Sequence, residues 1–245
     1  DTPVPVSSCE IAEFAKLYEN IYRAVNIGLA NEMKIIADAF DIDIFEIIRA
    51  ADTKPFGFSA FYPGPGVGGH CIPVDPYYMM QRAADVGVPA ELITAARAVN
   101  RTMPLHVAGV LYDMLYRSGV AVGEGKILFL GWSYKAEVGD PRETPAEPLS
   151  KALLARDVSV TAYDPHISTH DFPKEIEVID DLNKAEGFDL VVLVTAHESS
   201  TNIDWRALLK RMRTPLVYDG RRVLDLDNLS EMGWKVSAVG MPRSH

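Results

Sequence analysis

The residue of this chain best suited to covalent chemistry is Cys71, set in the run Gly68-Gly69-His70-Cys71. Adjacent glycines let backbone N–H groups come close to a ligand. A thiol on such a loop can attack an electrophile where its surroundings favour the thiolate. A lone cysteine is also commonly a small buried hydrophobe, so from spacing alone nucleophile and packing residue both stand. His70 reads as a surface or packing histidine, because adjacent side chains point apart. The preceding Gly64-Pro65-Gly66-Val67-Gly68-Gly69 has glycine density, but no strand leads into it as a dinucleotide fingerprint requires. A loop that hugs a ligand and a loop that merely turns sharply are both open. Lys16 and Asn20 stand four apart, which places them on one face of a helix. Apolar neighbours allow Lys16 to be a partly buried ammonium aimed at developing negative charge; a solvated lysine is the plain alternative.

Other polar residues sit where an open sheet would bind ligands. Lys135 and Arg142 follow one β-like run, and Arg221 and Arg222 follow another. Cations at strand ends suit phosphates, although loop cations are often simply exposed. Asp164, His166 and Asp219 occupy similar positions with weaker signals. The aspartates and histidines lack metal-ligand spacing, so no metal site is expected.

The elements that must position these residues follow from periodicity. After an extended arm, Ser7 or Ser8 can cap a helix over about 10–40, where Ile11, Phe14, Leu17, Ile21, Val25, Leu29, Met33 and Ile36 recur at three- and four-residue steps. A shorter helix is expected at about 43–51. The next stretch, FGFSAFYPGPGVGGHCIPVDP, is too rich in glycine and proline for a helix or a central strand. Helices resume at about 75–87 and 89–118. After Gly119, KILFLG, VSVTAY, DLVVLVT, PLVYDG and KVSAVG are short β-branched runs, alternating with helical patterns at about 144–156 and 204–212. That alternation predicts a parallel sheet covered by helices. The expected architecture is an all-α domain over 1–118 followed by a doubly wound, Rossmann-like α/β domain over 119–245. The first strand of that domain runs into GWSYK rather than G-x-G-x-x-G, which points to a nucleotide binder that uses side chains.

Composition sets outer bounds. The chain has 245 residues, 24% of them charged and 48% hydrophobic, as in ordinary globular proteins. A net charge of −10 argues against a nucleic-acid partner. No apolar run approaches the roughly 20 residues of a membrane span. Two cysteines are too few for a disulfide framework, so reduced thiols and a cytoplasmic location are expected.

Four segments, EFAKLYENIYRAVNIGLANE (13–32), FYPGPGVGGHCIPVDPYY (61–78), LGWSYKAEVGDPRETP (130–145) and YDGRRVLD (218–225), carry a resemblance to the UDP-glucose/GDP-mannose dehydrogenase family. The resemblance spans essentially the whole chain. It implies an NAD-dependent, two-step oxidation of a sugar C6 alcohol to a carboxylate, with Cys71 adding to the aldehyde and later carrying a thioester. It further implies that Lys16 stabilises oxyanions and that Asn20 and Asp75 hold the catalytic water. Tyr62, Pro63, Gly64, Gly66, Val67 and Gly68 would line the sugar and diphosphate. Tyr134, Lys135 and Arg221 would hold the UDP portion, while Arg142 reaches the NAD and Cys71 lies beside it. Val74 stands where UDP-glucose members carry a lysine, and Lys54 lies near an arginine that in those members reaches the neighbouring subunit's substrate. HCIPVDPYY is similar to members acting on UDP-N-acetylhexosamines, so UDP-N-acetylglucosamine is the expected substrate, with UDP-N-acetylmannosamine or UDP-glucose as alternatives. The family's N-terminal NAD-binding domain is not recognised in these residues, so the chain alone is expected to bind UDP-sugars without turnover. A homodimer through the long helices is also implied. A non-catalytic UDP-sugar sensor is the alternative from another class.

Overall fold

The computed structural model of the chain describes residues 2–242, the side chain of Val122 excepted. Asp1 and residues 243–245, which fall within the two expected domains, lie outside the described residues.

The first half is helical. Helix α1 (Cys9–Ala39) starts at Ser8, whose hydroxyl accepts the Ile11 N–H at 3.4 Å. Helix α2 (Ile44–Asp52) is capped by Asp43, which accepts from the Phe45 N–H at 2.8 Å. The glycine- and proline-rich stretch that follows forms neither helix nor strand until α3 (Asp75–Asp85). That helix ends earlier than expected because the chain turns at Gly87, whose φ of +75° is one that glycine takes cheaply. Helix α4 (Glu91–Arg117) has 27 residues, a length of about 40 Å at the α-helical rise.

The second half is the expected α/β unit. Strands β1 (Lys126–Leu130), β2 (Ser159–Tyr163), β3 (Glu177–Val178), β4 (Leu190–Leu193), β5 (Leu216–Asp219) and β6 (Lys235–Ala238) form one sheet in the order β3-β2-β1-β4-β5-β6. Every pairing is parallel. Helices α5 (Ala146–Leu154), α6 (Glu198–Thr201), α7 (Trp205–Leu209) and α8 (Leu226–Met232) complete it. The strand order reverses between β1 and β4, which places the ligand crevice of such a sheet outside their C-terminal ends. β3 and α8 were not legible in the sequence. β3 is a two-residue edge strand, and α8 is a short helix begun by Asp225 accepting from Asn228.

Both faces of the sheet are covered, as its continuous apolar strands require. In β1, Ile127 and Phe129 point into one core while Leu128 and Leu130 point into the other. The first core also takes Ala37, Ile44 and Phe45 together with Val107, Leu111 and Leu115 of α4. The helical half therefore packs directly on one face of the sheet. Trp205, Leu208 and Trp234 cover the other face.

Candidate active site

The thiol loop is built by close contact. A Cβ on Gly68 would stand 2.8 Å from the Glu143 carbonyl oxygen, and one on Gly69, whose φ is +95°, would stand 2.9 Å from the Tyr134 ring. Only glycine lets this backbone lie flat on the turn that follows β1. Asn31, buried on α1, anchors the other end of the loop: its carbonyl oxygen accepts the Gly64 N–H at 3.1 Å and its amide donates to Asn100 at 2.9 Å. Asn100 in turn donates to the Ala24 carbonyl at 2.9 Å. A buried amide pair thus ties α1, α4 and the loop together. His70 stays exposed, as expected, with Nε2 3.2 Å from Asp140 and its ring edge-on to Tyr134.

The thiol end gathers residues that are far apart in sequence. The Cys71 carbonyl accepts the Asp75 N–H at 2.8 Å and the Val74 N–H at 3.2 Å, so the chain turns once and enters α3 at Asp75. The Asn20 amide donates to the Asp75 carboxylate at 2.5 Å. Arg23 donates to the Asn20 carbonyl oxygen, which fixes the amide with its NH₂ toward Asp75. Cys71 is partly exposed, Asn20 buried and Asp75 half-buried. Of the two readings open for Lys16, partly buried or solvated, the structure has the solvated one. Lys16 is exposed, one turn from Asn20, because no element among the described residues packs over the first turns of α1; Ile11, Phe14 and Tyr18 are exposed beside it.

Two buried aspartates at the ends of strands shape the crevice. Asp164 accepts the Trp132 and Ser133 N–H groups at 2.7 and 2.8 Å, the His166 N–H at 2.9 Å, and lies 3.0 Å from His197 Nε2. Burial resists its ionisation, but His197 and the three backbone donors outweigh it and hold its pKa at about 2. Asp219 accepts four consecutive N–H groups, from Arg221 to Leu224, at 2.7–2.8 Å. Signals that looked weak in the sequence are therefore clamps on the two loops that carry Tyr134 and Arg221.

Arg221 faces the thiol loop. Its Nε donates to the Val194 carbonyl at 2.6 Å, and a terminal nitrogen lies 3.4 Å from where a Cβ on Gly64 would stand. Crowding strips water from the guanidinium and lowers its pKa to about 10, against the opposing pull of Asp219. Arg222 is structural: it bonds Asp43 at 2.6 Å and joins the α2 cap to the sheet. Tyr62 is exposed and stacks on Phe45 with ring centroids 5.3 Å apart, while Pro63 is buried and Gly66 and Val67 half-buried along the same loop. Lys135 is exposed with no ion pair among the described residues. Arg142 is exposed and held by Asp140 at 2.9 and 3.0 Å, and this pairing first of all, against a small desolvation cost, lowers the Asp140 pKa to about 2. Lys54, exposed just past α2, makes no hydrogen bond from its side chain to the other candidates.

Glu137, His166 and His197 bring ligand-type atoms within 4.8 Å of one another. His197 nevertheless has both nitrogens committed: Nδ1 accepts the Glu137 N–H at 3.0 Å, and Nε2 faces Asp164 and Ser133 at 3.0 Å. With both ring nitrogens of His197 committed to loop contacts, this residue fastens the loops and has no free lone pair to complete a three-residue metal site.

Sequence reasoning passed over Asn31, Asn100 and Arg23. The only available signal was the i,i+3 spacing of Arg23 from Asn20; the two asparagines are 69 positions apart and meet only in the fold.

The chain thus joins a helical half carrying a thiol to a doubly wound α/β half with cations beyond the C-terminal ends of its strands. The chain belongs to the UDP-glucose/GDP-mannose dehydrogenase family: residues 10–102 match its central domain and residues 128–226 its UDP-binding domain. It is 34% identical to a UDP-N-acetyl-D-mannosamine dehydrogenase of Pyrococcus horikoshii, over 89% of this chain and 50% of that protein. Identity to a UDP-N-acetyl-D-glucosamine 6-dehydrogenase of Pseudomonas aeruginosa is 33%, over 90% of this chain and 52% of that protein. The fold superposes on an NDP-N-acetyl-D-galactosaminuronic acid dehydrogenase of Methanosarcina mazei with a TM-score of 0.85 at 26% identity, covering 96% of this chain and 52% of the other. The chain spans about half the length of the curated relatives it matches.

Proposed function

We propose that this chain is the thiol-bearing and UDP-sugar-binding part of an NAD-dependent nucleotide-sugar 6-dehydrogenase. Its proposed substrate is a UDP-N-acetylhexosamine, UDP-N-acetylglucosamine foremost, with UDP-N-acetylmannosamine and UDP-glucose as alternatives. Residues 1–118 form the catalytic-thiol and dimerisation unit, and residues 119–245 the UDP-binding unit. The observation that carries this reading is the Asn20–Asp75 pair held one turn from Cys71.

In this assignment the Cys71 thiolate, its proton released to solvent, adds to the C6 aldehyde of the sugar. A C–S bond forms as the C=O π bond opens to an oxyanion that Lys16 stabilises, and NAD would supply the two-electron oxidant that takes this adduct to the thioester. At the thioester stage Asp75, oriented by Asn20, takes a proton from water as it attacks the acyl carbon, and the C–S bond breaks to return the thiol. Tyr62 to Gly68 line the sugar and diphosphate, and Tyr134, Lys135 and Arg221 hold the UDP. Lys54 is assigned a contact with substrate across a subunit interface.

NAD would supply the oxidising equivalents. The turn after β1, where a doubly wound fold seats a dinucleotide pyrophosphate, is filled here. Gly131 has φ +83°, and a Cβ there would lie 2.4 Å from the Thr195 carbonyl oxygen. Arg142 is the residue assigned to reach NAD from the rim. This chain by itself is therefore expected to bind UDP without forming NADH.

Exposed Leu29, Met33, Ile36 and Phe40 on and just past α1, with Phe56 and Phe58 beyond α2, support a homodimer. Helix α4, also expected to offer an apolar stripe, buries Met103, Val107, Leu111 and Leu115 and leaves Leu92, Leu105 and Tyr116 exposed.

The test is NADH formed per UDP-sugar by the protein containing this chain, with each of the three substrates limiting. Two NADH per molecule of one acetamido sugar, lost in Cys71→Ala, is expected. UDP binding with no NADH from any of them would move the assignment to a non-catalytic sensor.

A further inference from the structure

Beneath the thiol loop, on the side of α3 and α4, lies a cavity of about 670 Å³. Its wall includes Ile72, Val74, Tyr77, Ile93, Arg97 and Arg101 and excludes Cys71, Asn20, Asp75, Lys135 and Arg221. It shares Gly66 and Val67 with the loop assigned to the sugar and diphosphate, and contains none of Tyr134, Lys135 and Arg221, the residues assigned to the UDP.

Two of its three cations lack a hydrogen-bond acceptor among the described residues. Arg97 and Arg101 stand one turn apart on α4 and face the same space, where like charges repel. Neither makes an ion pair or donates a hydrogen bond among the described residues. The Arg97 Nε is fully buried with no acceptor. The Arg97 guanidinium lies 3.1 Å over the Tyr77 ring, which holds it in place without neutralising it. Burial above all holds the Arg97 pKa below the ordinary arginine value, with Arg101 adding to the shift and Tyr77 and Glu143 opposing it. Lys151, also on the wall, is already paired with Glu147 at 2.6 Å. A buried Nε aimed at no acceptor, beside a second guanidinium, is the arrangement a bidentate oxyanion completes.

The cavity is much larger than one phosphate group, and its wall offers apolar Ile72, Val74 and Ile93 as well as the carboxylates Glu143 and Glu147. We infer that it is a second anion site, which binds the phosphate of a small organic phosphomonoester between Arg97 and Arg101 and its body against Ile72, Val74 and Ile93. The inference does not depend on the proposed function.

Calorimetric titration of the chain with inorganic phosphate and with phenyl phosphate tests it, with and without saturating UDP. Saturable binding of both is expected, tighter for phenyl phosphate, unchanged by UDP, and at least about tenfold weaker in Arg97→Gln and in Arg101→Gln. Arg82→Gln, which removes an exposed arginine of α3 outside the cavity, is expected to bind like the unaltered chain. Arg101 is exposed, so its variant keeps the test valid if Arg97→Gln does not fold. Absence of saturable binding, displacement by UDP, or equal weakening in Arg82→Gln would overturn the site. Equal affinity for the two probes would overturn the organic ligand class.

Discussion

At the scale of single residues, charge and hydrogen bonds decide what each polar group does. Asn20 is oriented from both ends, by Arg23 and by Asp75. Asn20→Ala is expected to lower kcat by about 100-fold, in the range of general acid–base effects, with little change in UDP affinity; calorimetry beside steady-state kinetics separates the two. Asp164 makes a pH prediction. Its folded pKa of about 2 lies below the ordinary carboxylate value of 3.8. Its contribution is therefore full above pH 3.8 or so and is lost as pH falls toward 2, an amount on the order of 2 kcal/mol by linkage. Asp164→Asn, which also leaves buried N–H groups short of an acceptor, is expected to cost about 2–4 kcal/mol at neutral pH. It should also flatten the fall in stability between pH 4 and pH 2. Urea titrations across that range check both, and an unchanged acid slope would refute the assignment.

At the scale of elements, the thiol loop is a passenger on its neighbours. It has no helical or strand hydrogen bonding of its own, so Asn31 at one end and the Tyr134 turn at the other set its path. Asn31→Ala is expected to destabilise the fold by about 1–3 kcal/mol through the unsatisfied Gly64 N–H and Asn100 amide. Gly69→Ala places a methyl against the Tyr134 ring in a backbone conformation costly for alanine. It should weaken UDP-sugar binding while leaving the far-ultraviolet circular dichroism unchanged; wild-type affinity in this variant would show that the loop is free of Tyr134. Both long helices divide their apolar residues between a packed side and an open one: α4 packs Val107, Leu111 and Leu115 into the core that includes α5 and leaves Leu105 and Tyr116 exposed, and α1 buries Ile21, Ala30 and Ala37 and leaves Leu29, Met33 and Ile36 exposed.

At the scale of the molecule, the helical half and one face of the sheet share a core, so the crevice is held between two parts that cannot shear freely. The open apolar face of α1 is the largest feature left unsatisfied among the described residues. If it closes a dimer, Met33→Asp with Ile36→Asp should convert the protein to monomers by light scattering without loss of helicity. A dimer that survives both substitutions would place the interface elsewhere.

The sequence by itself determined the architecture. A three-to-four periodicity and short apolar, β-branched runs, broken by glycine and proline, are local properties, and they located the long helices and five of the six strands. Motif residues also named the thiol, the α1 pair and the strand-end cations. Only the tertiary structure decided which of them meet. It brought Asn20 to Asp75 across 55 positions and Asn31 to Asn100 across 69, turned Asp164 and Asp219 into loop clamps, and left Lys16 in solvent. Those outcomes depend on which surfaces become covered when helices pack on a sheet, and covering is a long-range property that no window of sequence contains.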